Sequence, residues 1–336
     1  MGSAMIFGGL LDASSQANAL EDFMASLAEG HDDLGARIRL VTHGAKSVGG
    51  RVNLHAHYLA FRDGKPTLDE FVKILYTKLV SFCLSRKQIT DAQTSWVGLP
   101  AGKILESAVD LHRQALDLFI RANRNSNRNG EFGELIAYLL IEYVLKAPQF
   151  VAKMSLKTSS QMPVHGSDGI HMSYDAASDE LKLYWGESKC YADVNAAIDR
   201  AAESVAENLQ YDKMGHEVFL VRQGLDLSAF PEEFRQAIMS FLDPYDEKYN
   251  DRADVSVMFI AFDFDAFAEL EDVDPKAIDT EFSKQLADTM PIYAGRLDTA
   301  LAKHNVKHHS VEIFFLPVPS IAALRKMFQD RVGWTA

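Results

Sequence analysis

The segment Leu181-Lys182-Leu183-Tyr184-Trp185-Gly186-Glu187-Ser188-Lys189-Cys190-Tyr191 constrains this chain more than any other stretch. Alternate residues of a strand share a face. On one face Leu181, Leu183 and Trp185 are followed by Glu187 and Lys189. Charges at the end of an apolar strand face need a partner or a cation, because an isolated buried charge is costly. The fold must therefore bring further polar chemistry to the far end of this strand. The Glu-x-Lys spacing alone is weak, since about one match arises by chance in a chain this long. Glu180-Leu181-Lys182 is a second match, on the opposite strand face beside a turn, and reads as a solvated strand end.

The surrounding sequence adds carboxylates. Gly166-Ser167-Asp168-Gly169 puts one at the start of a strand predicted over Asp168–Tyr174. A hairpin turn over Asp175–Asp179 joins it to the Glu187 strand, and antiparallel pairing then brings Asp168 beside Glu187. Upstream, Gly130-Glu131-Phe132-Gly133-Glu134 opens a helix predicted over Glu131–Leu145. Glu131 and Glu134 compete for a role there, and either also suits a helix first turn through the dipole. Phe150–Leu156 is a further strand candidate, Asp193 caps a helix over Val194–Leu209, and Glu217–Val221 reads as one more strand. The order is helix, three strands, helix, strand. Hard oxygen ligands of this kind suit Mg²⁺ or Mn²⁺. Such a cation lowers the pKa of bound water and clamps a phosphate, while an ammonium stabilises developing charge. The competing reading of the same residues is a buried salt-bridge cluster in an inactive domain.

With this order, a helix Glu, a strand Asp and Glu-x-Lys, the region from Gly130 to Val221 resembles the PD-(D/E)XK nuclease superfamily. Gly130-Glu131-Phe132-Gly133-Glu134, His165-Gly166-Ser167-Asp168-Gly169-Ile170-His171 and Trp185-Gly186-Glu187-Ser188-Lys189 look closer still to the HamA family, nuclease subunits of Hachiman anti-phage defence. The resemblance implies an α/β fold: a mixed sheet flanked by helices, with α/β elaborations at both ends. It implies a metal-dependent DNase with little sequence preference, controlled by a superfamily 2 helicase, HamB. In that frame Asp168, Glu187 and Glu134 are metal ligands for Mg²⁺ or Mn²⁺. Lys189 completes the catalytic set by orienting or activating water. The glycine four residues before Glu134 favours Glu134 over Glu131. Arg121, Arg124, Arg128, His165, His171 and Tyr191 are candidate DNA contacts, with Lys153 and Lys157 similar. A non-catalytic binding module on the same fold, or an RNase, stays open, because no residue separates DNA from RNA.

Outside that region, strands are expected at Arg37–Thr42, Val52–Phe61, Val255–Phe262 and Val311–Leu316. Thr67-Leu68-Asp69-Glu70 matches a capping box for a helix to about Leu84. Further helices are expected over Lys103–Ala122, Thr280–His304 with a break at Pro291, and Ser320–Arg331. The expected organisation is an N-terminal α/β region (1–125), the nuclease core (126–225) and an acidic C-terminal α/β region (226–336), packed as one unit. Only Cys83 and Cys190 are present, too few for a disulfide framework or a cysteine zinc site. There is no P-loop, so any ATP-driven step falls to a partner. There is neither a long apolar run nor a secretory leader pattern, so the expected setting is the cytoplasm, without a membrane. His304, His308, His309, His55 and His57 read as structural or surface histidines rather than a metal set.

A net charge of −13 argues at first sight against nucleic acid. The charge is local, however. Residues 226–281 hold sixteen Asp or Glu against four Lys or Arg, which leaves the rest near neutral. A basic groove can still steer a polyanion. The acidic block is expected to face away from DNA or to dock the partner. If Asp243, Asp246 and Glu247 instead covered Glu187, they would read as a DNA-mimicking brake.

Overall fold

The unbroken apolar run Val257–Phe262 requires a strand covered on both faces, and it lies in the middle strand of the sheet. The computed structural model describes residues 13–28, 30–46, 51–126, 130–151, 154, 168–210, 214–215, 218–219, 221–222, 227, 230–270, 273–306 and 308–334. Its strands are β1 (Ile38–Val41), β2 (Val52–Leu59), a small hairpin of β3 (Phe61–Arg62) and β4 (Lys65–Pro66), β5 (Gln149–Val151), β6 (Gly169–Asp175), β7 (Glu180–Tyr191), β8 (Arg252–Asp263) and β9 (Ser310–Val318). Seven of them make one sheet in the order β1-β2-β9-β8-β7-β6-β5. β7, β8, β9 and β2 run parallel, whereas β5, β6 and β7 pair antiparallel and β1 is antiparallel to β2. The expected mixed sheet flanked by helices is therefore present.

The pleat sorts side chains between two helical layers. Val257, Phe259 and Ala261 of β8 face the helices Leu68–Thr77, Glu131–Leu145 and Ile321–Val332. Met258, Ile260 and Phe262 face the helices Val194–Asn208 and Ile278–Lys303. On that second side Leu181, Leu183 and Trp185 of β7 pack toward the helix Glu232–Leu242. The apolar stripe of β7 is thus buried as its alternation requires. Glu180 and Lys182, on the other parity, are half-buried, and Lys182 Nζ donates to Asp175 Oδ2 at 3.0 Å.

Several local expectations change. The strand predicted over Phe150–Leu156 is confined to Gln149–Val151, and Met154 is helical. Val218, Phe219, Val221 and Arg222 are helical, not a strand. Val218 and Val221 fill the core beside β6 and β7, and a short apolar run fits either element when only one face is buried. The parallel neighbour of β7 is instead β8, drawn from the acidic stretch. That stretch is consequently not set apart: Asp254 Oδ1 accepts the Trp185 indole N–H at 3.0 Å, and Asp263 Oδ1 accepts the Ile321 N–H at 2.6 Å. Thr67 makes no capping bond, because its hydroxyl donates to Ala60 O at 2.8 Å; the capping box lies at Ser85 and Gln88. Pro291 does not break its helix. Met290, Ala294 and Leu297 are buried around it, and that packing outweighs one missing backbone bond.

Buried histidines give the fold a pH dependence. His57, 3% exposed, has its pKa lowered to about 4, first by burial and then by the charge of His55. Unfolded, it titrates near its ordinary value of 6.5. Between about pH 6.5 and 4 the unfolded chain therefore binds the proton and the folded one does not, so stability falls as pH falls. Above pH 6.5 the group contributes no slope. The expected loss for this residue is on the order of 2–3 kcal/mol. His57→Leu should lessen the fall of urea-denaturation stability across that window, and an unchanged slope would show that His57 contributes none of it.

Candidate functional site

Gly169 pairs with Gly186, so continuing the register sets Asp168 opposite Glu187. The Asp168 N–H donates to Gly186 O at 2.6 Å, which carries the ladder to that point. The Asp168 carboxylate is then fixed twice. Its Oδ2 accepts both the backbone N–H and the hydroxyl of Ser188, each at 2.8 Å. Ser188 holds the middle place of Glu-x-Lys, and sequence reasoning gave it no role. A hydroxyl next along the strand from the residue opposite Asp168 was the available signal.

Glu187 is 8% exposed, and Lys189 Nζ donates to its Oε1. Burial first, then the charge of Asp168, push the Glu187 carboxyl up to about 7 against the opposing pull of Lys189 and Ser204. Burial works against the Lys189 ammonium, but Glu187 and Asp168 outweigh it and hold its pKa above the ordinary value. Ser204 reaches Glu187 from the helix Val194–Asn208, so the pair lies on that helix's side of the sheet. The helix begins directly after β7 because Asp193 caps it, accepting the Ala196 N–H at 2.6 Å.

The helix Glu131–Leu145 lies on the opposite face. A Cβ on Gly133 would stand 2.8 Å from Cys190 Sγ and 3.1 Å from Ser188 Oγ. The absence of a side chain there lets the helix start approach the end of β7. Glu131 and Glu134 are both buried in this first turn, at 1% and 7% exposure. Glu134 Oε1 stays near the helix start, 3.9 Å from where a Gly130 Cβ would sit. Asp168, Glu187 and Lys189 thus come together. Among the described residues no three of His, Cys, Asp and Glu converge as a metal-holding group, so Glu134 does not complete one with Asp168 and Glu187. Two adjacent carboxylates in a partly dehydrated place do fit Mg²⁺, which binds through one or two carboxylates and keeps several waters.

The candidate DNA contacts separate. Arg121 is exposed on the helix Ala101–Ser126, and Tyr191 is 41% exposed at the end of β7. His171 is fully buried, with Nδ1 2.9 Å from Ala147 O and its pKa lowered by burial to about 4, so it offers nucleic acid no surface. His165, Arg128, Lys153, Lys157 and the Arg124 side chain lie outside the described residues. The acidic brake is not formed. Lys248, next to Asp246 and Glu247, pairs with Asp179 at the β6–β7 turn, the opposite end of β7 from Glu187.

A seven-stranded mixed sheet flanked by helices on both faces defines an α/β protein of nuclease-like layout. The chain belongs to the HamA family, whose model matches residues 38–332. That family is a component of Hachiman anti-phage defence. No curated protein matches the chain. Among the described residues no helix is long and apolar enough to cross a membrane.

Ser188→Ala keeps the backbone bond to Asp168 and removes the hydroxyl bond. It should cost about 1 kcal/mol in urea denaturation. Unchanged stability would mean that the hydroxyl does not hold Asp168.

Proposed function

We propose that this chain is a metal-dependent nuclease that hydrolyses DNA phosphodiester bonds with little sequence preference as a defence effector. The observation that carries this reading is the meeting of Asp168, Glu187 and Lys189 at the end of one otherwise apolar strand pair. Asp168 and Glu187 hold the cation, Mg²⁺ or Mn²⁺, and Glu134 or Glu131 supports it from the helix start through water. When bound, the cation supplies charge neutralisation at the phosphate and a lowered pKa for water. Lys189, held to Glu187, orients the attacking water and offsets charge that develops on the phosphate oxygens. Ser188 fixes the Asp168 carboxylate with two hydrogen bonds. In this reading Arg121 and Tyr191, both exposed, are candidate contacts to the DNA backbone, where a cationic side chain suits phosphate.

HamA family membership supports a role in the Hachiman system. In this reading the partner is a superfamily 2 helicase of the HamB type. It supplies the ATPase that the chain lacks and controls when the nuclease acts.

The test is plasmid cleavage with Mg²⁺, with and without the helicase and ATP. Glu187→Ala and Lys189→Ala should each reduce cleavage at least about a hundredfold, with circular dichroism unchanged. A chelator should abolish it, and Mg²⁺ or Mn²⁺ should restore it. Equal cleavage after both substitutions would overturn the site. DNA binding that ignores chelator, with no cleavage under any metal, would make the chain a binding module. Cleavage of RNA alone would make it an RNase.

A further inference from the structure

A buried polar cluster outside the Asp168 site surrounds Glu142, on the helix Glu131–Leu145. Glu142 is 2% exposed. Its Oε2 lies 2.8 Å from His31 Nε2, and its Oε1 accepts from the Gln149 N–H at 2.8 Å and from Arg86 Nη2 at 3.4 Å. Burial opposes ionisation, but the His31 bond and the Arg86 charge outweigh it and hold the carboxyl below its ordinary pKa. Tyr138 beside it keeps its phenolic proton, because burial and then the Glu142 charge raise its pKa. Glu142 is a satisfied ion, already holding three donors.

The cluster is not packed solid. It borders a cavity of about 250 Å³ whose walls include Lys78, Ser81, Arg86 and His31 on the polar side and Ile89 and Phe150 on the apolar side. At roughly 30 Å³ per water, that is room for about eight waters. Among the described residues Glu142 is the one carboxylate lining the cavity. Arg86 and Lys78 keep 25% and 15% of their side-chain surface exposed, so the cavity's cations are reachable from solvent. Lys78 Nζ also touches Gly30 O at 2.6 Å and Asp33 Oδ1 at 3.0 Å.

We propose that this cavity is a second ligand site, taking a small solute that bears a phosphate or carboxylate group. Arg86 and Lys78 meet the negative charge, and Ile89 and Phe150 cover the apolar remainder. Arg suits this role because its planar fork matches oxyanion geometry. The site is separate from the proposed nuclease chemistry. It is built on the helix that covers the sheet face opposite Glu187 and uses none of Asp168, Glu187 or Lys189.

Titration calorimetry on the full chain tests this, with inorganic phosphate, deoxyadenosine 5′-monophosphate and succinate as separate probes. At least one probe should bind. Binding should weaken about tenfold or more in Arg86→Gln, vanish in Ile89→Trp, and persist in Lys189→Ala. Ile89→Trp fills the cavity without touching a charge, so it decides the matter even if loss of Arg86 disturbs folding around Glu142. Circular dichroism confirms that each variant is folded. No binding by any probe, binding that survives Ile89→Trp, or binding lost in Lys189→Ala would overturn the proposal. Which probe binds separates a phosphate ligand from a carboxylate one.

Discussion

Asp168 and Glu187 stand opposite each other at the end of the β6–β7 ladder, Glu187 buried and Asp168 half-buried, and the groups around them answer that repulsion. Burial, and then the Asp168 charge beside it, raise the cost of ionising Glu187. Lys189 offsets part of it from two residues along the same strand. Ser188 fixes Asp168 with two hydrogen bonds, and Ser204 reaches Glu187 from the next helix. A divalent cation bound by the two carboxylates would relieve the remainder, which is the physical reason for reading the site as metal-dependent.

The fold makes this arrangement rigid. β7 is a long strand paired along its full length with β8 and along its first half with β6. Its apolar stripe is buried up to Trp185, so register cannot slip without turning Leu181, Leu183 and Trp185 outward. Gly133 then admits the start of the Glu131–Leu145 helix against Ser188 and Cys190 on the opposite face. Strand register positions one carboxylate pair, and a missing side chain positions the helix carboxylates near the same strand end.

Much of this was legible because it is local. Alternation along Leu181–Tyr191, the Asp175–Asp179 turn and the Asp193 cap each depend on a few adjacent residues, and the structure realises all three. The pairing of β7 with β8 was not legible, since it joins residues some seventy positions apart through a stretch that reads as acidic and peripheral. Val218 and Val221 show the opposite difficulty: an apolar run too short for its period to choose between strand and helix. At Thr67 a hydroxyl had two partners to choose from, and a carbonyl from the preceding strand prevailed over the helix start. His171 looked accessible in the sequence because it stands beside Gly169 and Asp168, yet the pleat turns it into the core. The Glu142 cluster drew no notice for a related reason. Its partners His31 and Arg86 come from distant segments, and a glutamate on an apolar helix face gives no sign of them.

The most direct measurement of the central claim is an anomalous-scattering map from crystals soaked in Mn²⁺. The account predicts a peak between the Asp168 and Glu187 carboxylates, lost in Glu187→Gln. The absence of a peak in well-ordered crystals, with Lys189 still closing Glu187, would contradict it.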